Sequence, residues 1–455
     1  MNIRRHIETD RDFYRAILAI AIPVMLQSAI MRGMGLVNSI MLGNLGETYM
    51  AAYHLGNQLY NLFGSISFGL VAGCCVMVSQ YWGSRDLAAI RRIMAYTLKL
   101  LCAVTVLFMA VGLFIPEQFM RLYSGEADVI AAGVPYVRVV CFCFAFYGFS
   151  NLYLLSIRSI ENARLYLIVD GISYAINIFI NYLLIYGRFG LPKLGIIGVA
   201  IGTIIAKVIE AAVCVVHMLK YEKTIRFRPG DLRERADREL RRTFFRFAIP
   251  VAMHEIIWGI GNSMYSSILG HVGADAISAH SVVESFSSIC IMFTSGLVSA
   301  AGVLIGKSIG AGEGDRVFRK AQSIMLIALG SGIFSGLLHI ITRPMLISFY
   351  PNLGTETTGL IRNFMTICAL LCPFQALELT SSLGTLRGGG DAAFVVAEDT
   401  FVMWCICIPL ASLATYRWGL SPSWVYFLLK MDLVFKSTIC VIRILRRKWV
   451  KKITE

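Results

Sequence analysis

Three acidic residues lie deep inside apolar runs of this chain: Glu255, Glu284 and Glu378. Carrying a charge into a bilayer costs about 2.5–3.5 kcal/mol on insertion scales, so each one needs a reason. Glu255 follows Pro250 by five residues and shares a helical face with Trp258 and Asn262, at i+3 and i+7. A carboxylate set beside an aromatic ring and an amide in low dielectric is suited to taking up and releasing a proton. With several oxygens converging on it, the same group would hold sodium. His280, Glu284 and Ser288 form a polar stripe with a spacing of four, and Glu378 follows Pro373, where a broken helix can line a cavity. The chemistry these residues offer is ion exchange, not bond making. The sequence has no Walker, HExxH or GxSxG motif, and the seven His are scattered. Most of the twelve Cys sit inside apolar runs without CxxC spacing. No cofactor or metal centre is expected, only H+ or Na+ as a coupling ion.

The elements that must hold these side chains are membrane helices. The 455-residue chain is 57% hydrophobic and 15% charged, against about 25% charged in soluble domains. Its apolar runs read as spans at 16–42, 51–82, 94–115, 133–157, 166–187, 196–219, 243–270, 277–308, 321–342, 357–384, 393–414 and 423–442. A net charge of +14 would suit nucleic acid in a soluble protein. Here the Lys and Arg crowd into the N-terminus, the even-numbered loops and the C-terminus. The odd-numbered loops hold only Arg121, Arg188, Lys193, Arg343 and Arg417. The positive-inside rule then places both termini in the cytoplasm, with the chain in the cell's inner (plasma) membrane and lipid, not nucleic acid, as its partner.

An internal repeat organises the spans. Ala248-Ile249-Pro250-Val251 repeats Ala21-Ile22-Pro23-Val24 at an offset of 227, and without a gap Leu269-Gly270 falls on Leu42-Gly43 and Gly296-Leu297-Val298 on Gly69-Leu70-Val71. Further along the offset becomes 229, pairing Arg387 with Arg158 and Asp399 with Asp170. Six spans per repeat is an even number, so the halves are parallel, the arrangement of transporters whose halves rock about a shared site. The expected fold is an all-α membrane protein, twelve transmembrane helices in two parallel six-helix repeats around a central cavity. Its parts are an N-lobe at 1–219, a cytoplasmic linker at 220–242 and a C-lobe at 243–455.

The first lobe carries Pro23 and then Gly35-Leu36-Val37-Asn38-Ser39-Ile40-Met41-Leu42-Gly43. Asn177 to Gly187 (NIFINYLLIYG), Gly195 to Ala200 (GIIGVA) and Gly384 to Asp391 (GTLRGGGD) follow in order. Together these segments resemble the multidrug and toxic compound extrusion (MATE) antiporters across essentially the whole chain. The resemblance implies two rocking lobes that export organic compounds against an inward flow of protons or sodium. Many prokaryotic members carry an Asp in the first helix where this chain has Asn38, which removes that carboxylate from the first lobe.

The duplication also sorts the charges. A charge present in both lobes serves shared architecture; one present in a single lobe serves an asymmetric task. Arg158 with Asp170, and Arg387 with Asp399, read as structural pairs across tight hairpins. Lys207 and Glu210, at i and i+3, neutralise each other. Glu255 faces Ser28 in the repeat, Glu284 faces Asn57 and Glu378 faces Phe149, so these three acids become the ion-coupling candidates. Gln27, Asn38, Asn57, Asn61, Trp258, Asn262 and His280 are candidates for the polar lining of a cavity. Arg32 and Arg138 either repel cationic compounds or recognise anionic ones.

The function expected is secondary active transport by a monomer with no enzymatic step. Organic, amphipathic or cationic compounds would leave in exchange for protons or sodium. The competing reading is a flippase or exporter of a lipid-linked or polar metabolite precursor. The charge bias makes one direct prediction: reporters fused after Arg242 and at the C-terminus both register as cytoplasmic, and an extracytoplasmic signal at either would refute the even-span topology.

Overall fold

The computed structural model describes residues 8–43, 47–122, 126–190, 192–234, 236–348 and 354–451. These fold into α1 (Arg11–Gly43), α2 (Glu47–Gly83), α3 (Leu87–Phe114), α4 (Pro116–Arg121), α5 (Ala127–Val140), α6 (Cys143–Ser159), α7 (Ala163–Tyr186) and α8 (Ile196–Val216). The second half comprises α9 (Arg238–Val272), α10 (Ala274–Gly310), α11 (Asp315–Ser348), α12 (Thr355–Leu379), α13 (Ala392–Thr400), α14 (Ile408–Tyr416), α15 (Pro422–Lys430) and α16 (Asp432–Leu445). Among the described residues, ten helical spans are long and apolar enough to cross a membrane, or eleven with a bent pair counted as one.

Three expected spans are not single straight helices. The run at 133–157 is the bent pair, α5 and α6 meeting at 51°. The Cys141 thiol donates to the Arg138 carbonyl at this break. Both halves are apolar, so hydropathy cannot see the bend. The run at 423–442 is divided between α15 and α16 at Met431. The run at 393–414 passes through a π-helical segment, Phe401–Cys407, and a second one, Thr380–Leu386, continues α12. Such wide turns shift side chains off the regular helical faces and are frequent at functional sites.

The chain divides into two compact units. The amino-terminal unit holds Leu26–Val78 and Asp86–Ala252; the carboxy-terminal unit holds Met1–Met25, Ser79–Arg85 and Met253–Glu455. The boundaries inside α1 and α9, after Met25 and after Ala252, lie 227 positions apart, the offset of the sequence repeat.

In the amino-terminal unit Phe63 stacks on Phe144, ring centroids 4.4 Å apart, within a core that includes Tyr136, Val140, Ile185 and Val199. A Cβ on Gly69 of α2 would lie 2.6 Å from the Cβ of Ala252 in α9, and one on Gly73 would lie 2.7 Å from that of Ala248. Only hydrogen at these positions lets the two backbones approach. Close approach also sets the α7–α8 hairpin. Gly187 takes a left-handed φ of 66° to end α7, and the Leu194 amide donates to the Leu184 carbonyl at 2.9 Å. Gly198 then packs on Leu184 and Gly202 on Asn181. The Ser173 hydroxyl donates to the Ala206 carbonyl at 3.3 Å and Asn177 Nδ2 to Thr203 Oγ1 at 3.3 Å. Antiparallel in this register, the two helices bring Asp170 and Lys207 face to face.

The carboxy-terminal unit repeats the seam: Gly296 of α10, 227 positions after Gly69, packs on Ala21 and Met25 of α1. Its core is built on Phe364 stacked against Tyr426 at 4.0 Å, with Val283, Met365 and Val425. Gly332 and Gly336 of α11 lie against Pro373 and Ala369 of α12. After α16 the chain turns back beneath the Gly388-Gly389-Gly390-Asp391 segment. Trp449 is fully buried there, its indole against Gly389. The Lys451 amide donates to the Gly389 carbonyl at 2.9 Å, while Lys451 Nζ and Arg443 Nη2 reach Asp391 at 2.5 and 2.9 Å. Gly389→Ala would drive a methyl group into the indole and should cost about 1–3 kcal/mol. It should lower the apparent melting temperature of the detergent-solubilised protein, and adding it to Trp449→Ala should lower that variant little further.

Candidate functional site

Facing helices in each unit enclose a buried ion pair. In the amino-terminal unit Asp170, 4% exposed, accepts from Gln27 Nε2 at 2.6 Å and lies 4.0 Å from Lys207 Nζ. Lys207 donates to Glu210 Oε2 at 2.6 Å. The rest of the shell is phenolic. Lys207 Nζ lies 5.4 and 5.6 Å from the ring centroids of Tyr147 and Tyr174, Gln27 Nε2 is 3.4 Å from Tyr166 Oη, and the Arg158 guanidinium sits over the Tyr166 ring at 5.5 Å. Such cation–π contacts stabilise a desolvated cation without adding charge.

The carboxy-terminal unit contains the same brace in different company. The offset of 229 carries Asp170 to Asp399 and Lys207 to Lys436; the offset of 227 carries Gln27 to His254. Lys436 Nζ lies 2.5 Å from Asp399 Oδ1 and 3.2 Å from Asp432 Oδ2. His254 Nε2 is 3.6 Å from Asp399 Oδ2. Arg387 Nη2 lies 3.2 Å from His254 Nδ1 and 3.6 Å from Glu255 Oε1. Glu378 and Glu398 complete the group, 8% and 6% exposed. Val395, Met403 and Ala376 stand at the positions that the offset assigns to Tyr166, Tyr174 and Tyr147. Five carboxylates (Glu255, Glu378, Glu398, Asp399 and Asp432) therefore share two permanent cations and one histidine.

The pairs expected across each hairpin do not form. Asp170 turns to Lys207 and Gln27, leaving Arg158 over Tyr166, and Arg387 turns to Glu255 and His254, leaving Asp399 to Lys436. An Asp partway into a helix meets the flanking helix sooner than the residue behind its own turn. Lys207 and Glu210 do pair.

Among the other candidates, Glu284 is 47% exposed and 3.3 Å from Lys430. This pair borders a cavity of about 10 Å³ with Ser287, Cys368 and Gln375, room for one water and not for an organic compound. Asn57 accepts from Tyr136 Oη at 3.3 Å, and His280 lies tilted against Tyr426, ring centroids 5.8 Å apart. Asn61 is exposed and Trp258 is 48% exposed, while Asn262 Nδ2 donates to the Trp258 carbonyl at 3.0 Å within its own helix. The side chain of Asn38 lies outside the described residues. Lys436, Asp432 and Glu398 were not anticipated; the offset that links Asp170 to Asp399 also links Lys207 to Lys436.

A model of the MatE family matches residues 23–183 and 250–413. A probable multidrug resistance protein NorM of Thermotoga maritima is 21% identical over 97% of this chain and 94% of its own length. The multidrug resistance protein MdtK of Yersinia enterocolitica is 24% identical over 96% of both chains. Among solved structures, a MATE crystal structure in complex with MaL6 superposes with a TM-score of 0.87 at 15% identity, covering 95% of each chain. The two units carry the fold of these membrane proteins.

Each buried lysine neutralises carboxylates that are themselves almost completely buried. Lys436→Met would strand Asp399 and Asp432 at a cost of about 3–5 kcal/mol. Its folded yield by size-exclusion chromatography should collapse, and Lys436→Met with Asp399→Asn should recover part of it. Lys207→Met should behave alike, with recovery on adding Asp170→Asn; undiminished yield of both single variants would show that neither brace stabilises the unit that contains it.

Proposed function

The chain belongs to the MatE family of multi-pass membrane transporters, and on that footing we propose that it exports organic, amphipathic or cationic compounds in exchange for protons or sodium. Its relatives named as multidrug resistance proteins support the substrate class. The observation that carries the coupling is the imbalance of charge between the two braces. Lys207 stands with two carboxylates, Asp170 and Glu210, and the rings of Tyr147 and Tyr174, whereas Lys436 and Arg387 stand among five carboxylates. Buried carboxylates in excess of their counter-ions must bind protons or a cation, and a transporter that exposes them alternately to two sides moves what they bind. Glu255, Glu284 and Glu378 are the proposed coupling acids. Glu255 is the chief of them, an acid that the repeat sets against Ser28 and that lies 3.6 Å from Arg387 and 3.5 Å from His254. Ion and organic compound compete when they prefer different conformations, which gives alternating access its direction. The arginine and lysine bias of the loops supports a plasma-membrane protein with both termini in the cytoplasm.

Glu255→Gln keeps shape and hydrogen bonding while removing the titratable charge. In proteoliposomes it should abolish export driven by a proton or a sodium gradient while the protein stays folded. Asn38→Asp should not rescue it. Wild-type transport by Glu255→Gln under both gradients would move the coupling away from this residue.

A further inference from the structure

The five carboxylates of the carboxy-terminal unit are not equivalent. Asp399 and Asp432 share Lys436, at 2.5 and 3.2 Å, and Glu255 has Arg387 and His254, at 3.6 and 3.5 Å. Glu378, near the end of α12, and Glu398, in α13, are left over. Among the described residues no Lys, Arg or His nitrogen lies within 4.0 Å of either, and both are almost completely buried. The groups that act on Glu398 through space are Glu378, Lys436 and Asp399; those acting on Glu378 are Lys436, Asp399, Asp432 and Arg387. Glu398 Oε2 accepts from the Cys440 thiol at 3.8 Å, and its Oε1 is buried with no hydrogen-bond partner among the described residues. An ionised carboxylate would leave a full charge uncompensated there; a neutral carboxylic acid removes that charge. Both acids are also additions to the repeated brace. Their repeat positions in the other half are Phe149 and Val169.

We infer that Glu378 and Glu398 form a proton-binding pair, separate from the Lys436 and Arg387 ion pairs and set apart from Asp399 and Asp432 by having no cation within ion-pair distance among the described residues. This rests on the reading of the protein as an ion-coupled exporter and adds Glu398 to its machinery. Uptake is the addition of one proton from solution to a carboxylate oxygen, giving a neutral carboxylic acid; release is the reverse, and no other bond changes. Asp399 and Asp432 are each paired with Lys436, whereas Glu378 and Glu398 have no such partner, so these two acids are assigned a proton site in addition to Glu255.

Infrared spectroscopy of the full-length protein in lipid tests this directly. At neutral pH a protonated-carboxyl carbonyl band should be present, diminished in Glu398→Gln and again in Glu378→Gln. Cys440→Ala removes only the thiol donor and should shift the position of the Glu398 component with the protein intact, which covers the case of a Gln variant that fails to fold. Ethidium export driven by a proton gradient should fall about tenfold or more in Glu398→Gln. A band that none of the three substitutions alters, or one that added sodium abolishes at constant pH, would overturn the inference. The parent reading fails separately: a wild type that exports ethidium under neither gradient removes the exporter while leaving the infrared assignment standing.

Discussion

A lysine ammonium cannot be taken out of water alone. Desolvation costs several kcal/mol even after relaxation, so the cation must meet a carboxylate in good geometry or lose its proton. The rest of the architecture follows from satisfying that demand twice, at Lys207 and at Lys436. Lys207 is held by α8 and Asp170 by α7, and the distance between them exists because Gly198 and Gly202 let these helices touch. Lys436 on α16 likewise ties down Asp399 on α13, just before the π-helical turn that begins at Phe401. Gln27 on α1 and His254 on α9 reach the two aspartates immediately after the chain has entered each unit. An error in any of these helix placements would leave a charge buried without its partner, so each pair specifies its fold more sharply than apolar packing alone.

With the braces equivalent, the difference between the units lies in what surrounds them. Phenol rings stabilise Lys207 through their quadrupoles and remain neutral at any physiological pH. Carboxylates around Lys436 and Arg387 can each be charged or neutral. The phenol-lined environment therefore adds no further acid to Lys207, Asp170 and Glu210, whereas the other adds several to its own brace. A proposed coupling site needs the second kind, because an ion can bias a conformational equilibrium only where its binding changes the charge.

Much of this was legible in the sequence because duplication prints it twice. The repeated Gly69 and Gly296 are legible as sequence identities and prove to be the close-packed positions of two matching seams. The Asp170–Asp399 correspondence identified half of each brace. The other half is hidden because Lys207 has a ready partner in Glu210, three residues away, and its repeat counterpart Lys436 lies in the last helix. The hairpin pairs failed for a related reason: spacing along the chain gives which residues share a turn, but not which neighbour across the packing is nearer. The bend between α5 and α6 and the break at Met431 were invisible because apolar character does not depend on helix direction. Glu398 went unnoticed beside Asp399, since one acid of an adjacent pair had already been given a structural role.

The two unit boundaries in α1 and α9 fall at one position of the repeat, as do Gln27 and His254, Asp170 and Asp399, and Lys207 and Lys436. A half-length ancestor working as a pair of identical copies would have carried the brace in each copy from a single gene. In such a homodimer every substitution occurs twice, so an acid gained beside one lysine is gained beside both. A single chain holding both repeats is free of that restriction: it keeps tyrosines at 147, 166 and 174 while holding acids at 255, 378 and 398, an electrical asymmetry that identical copies could not carry.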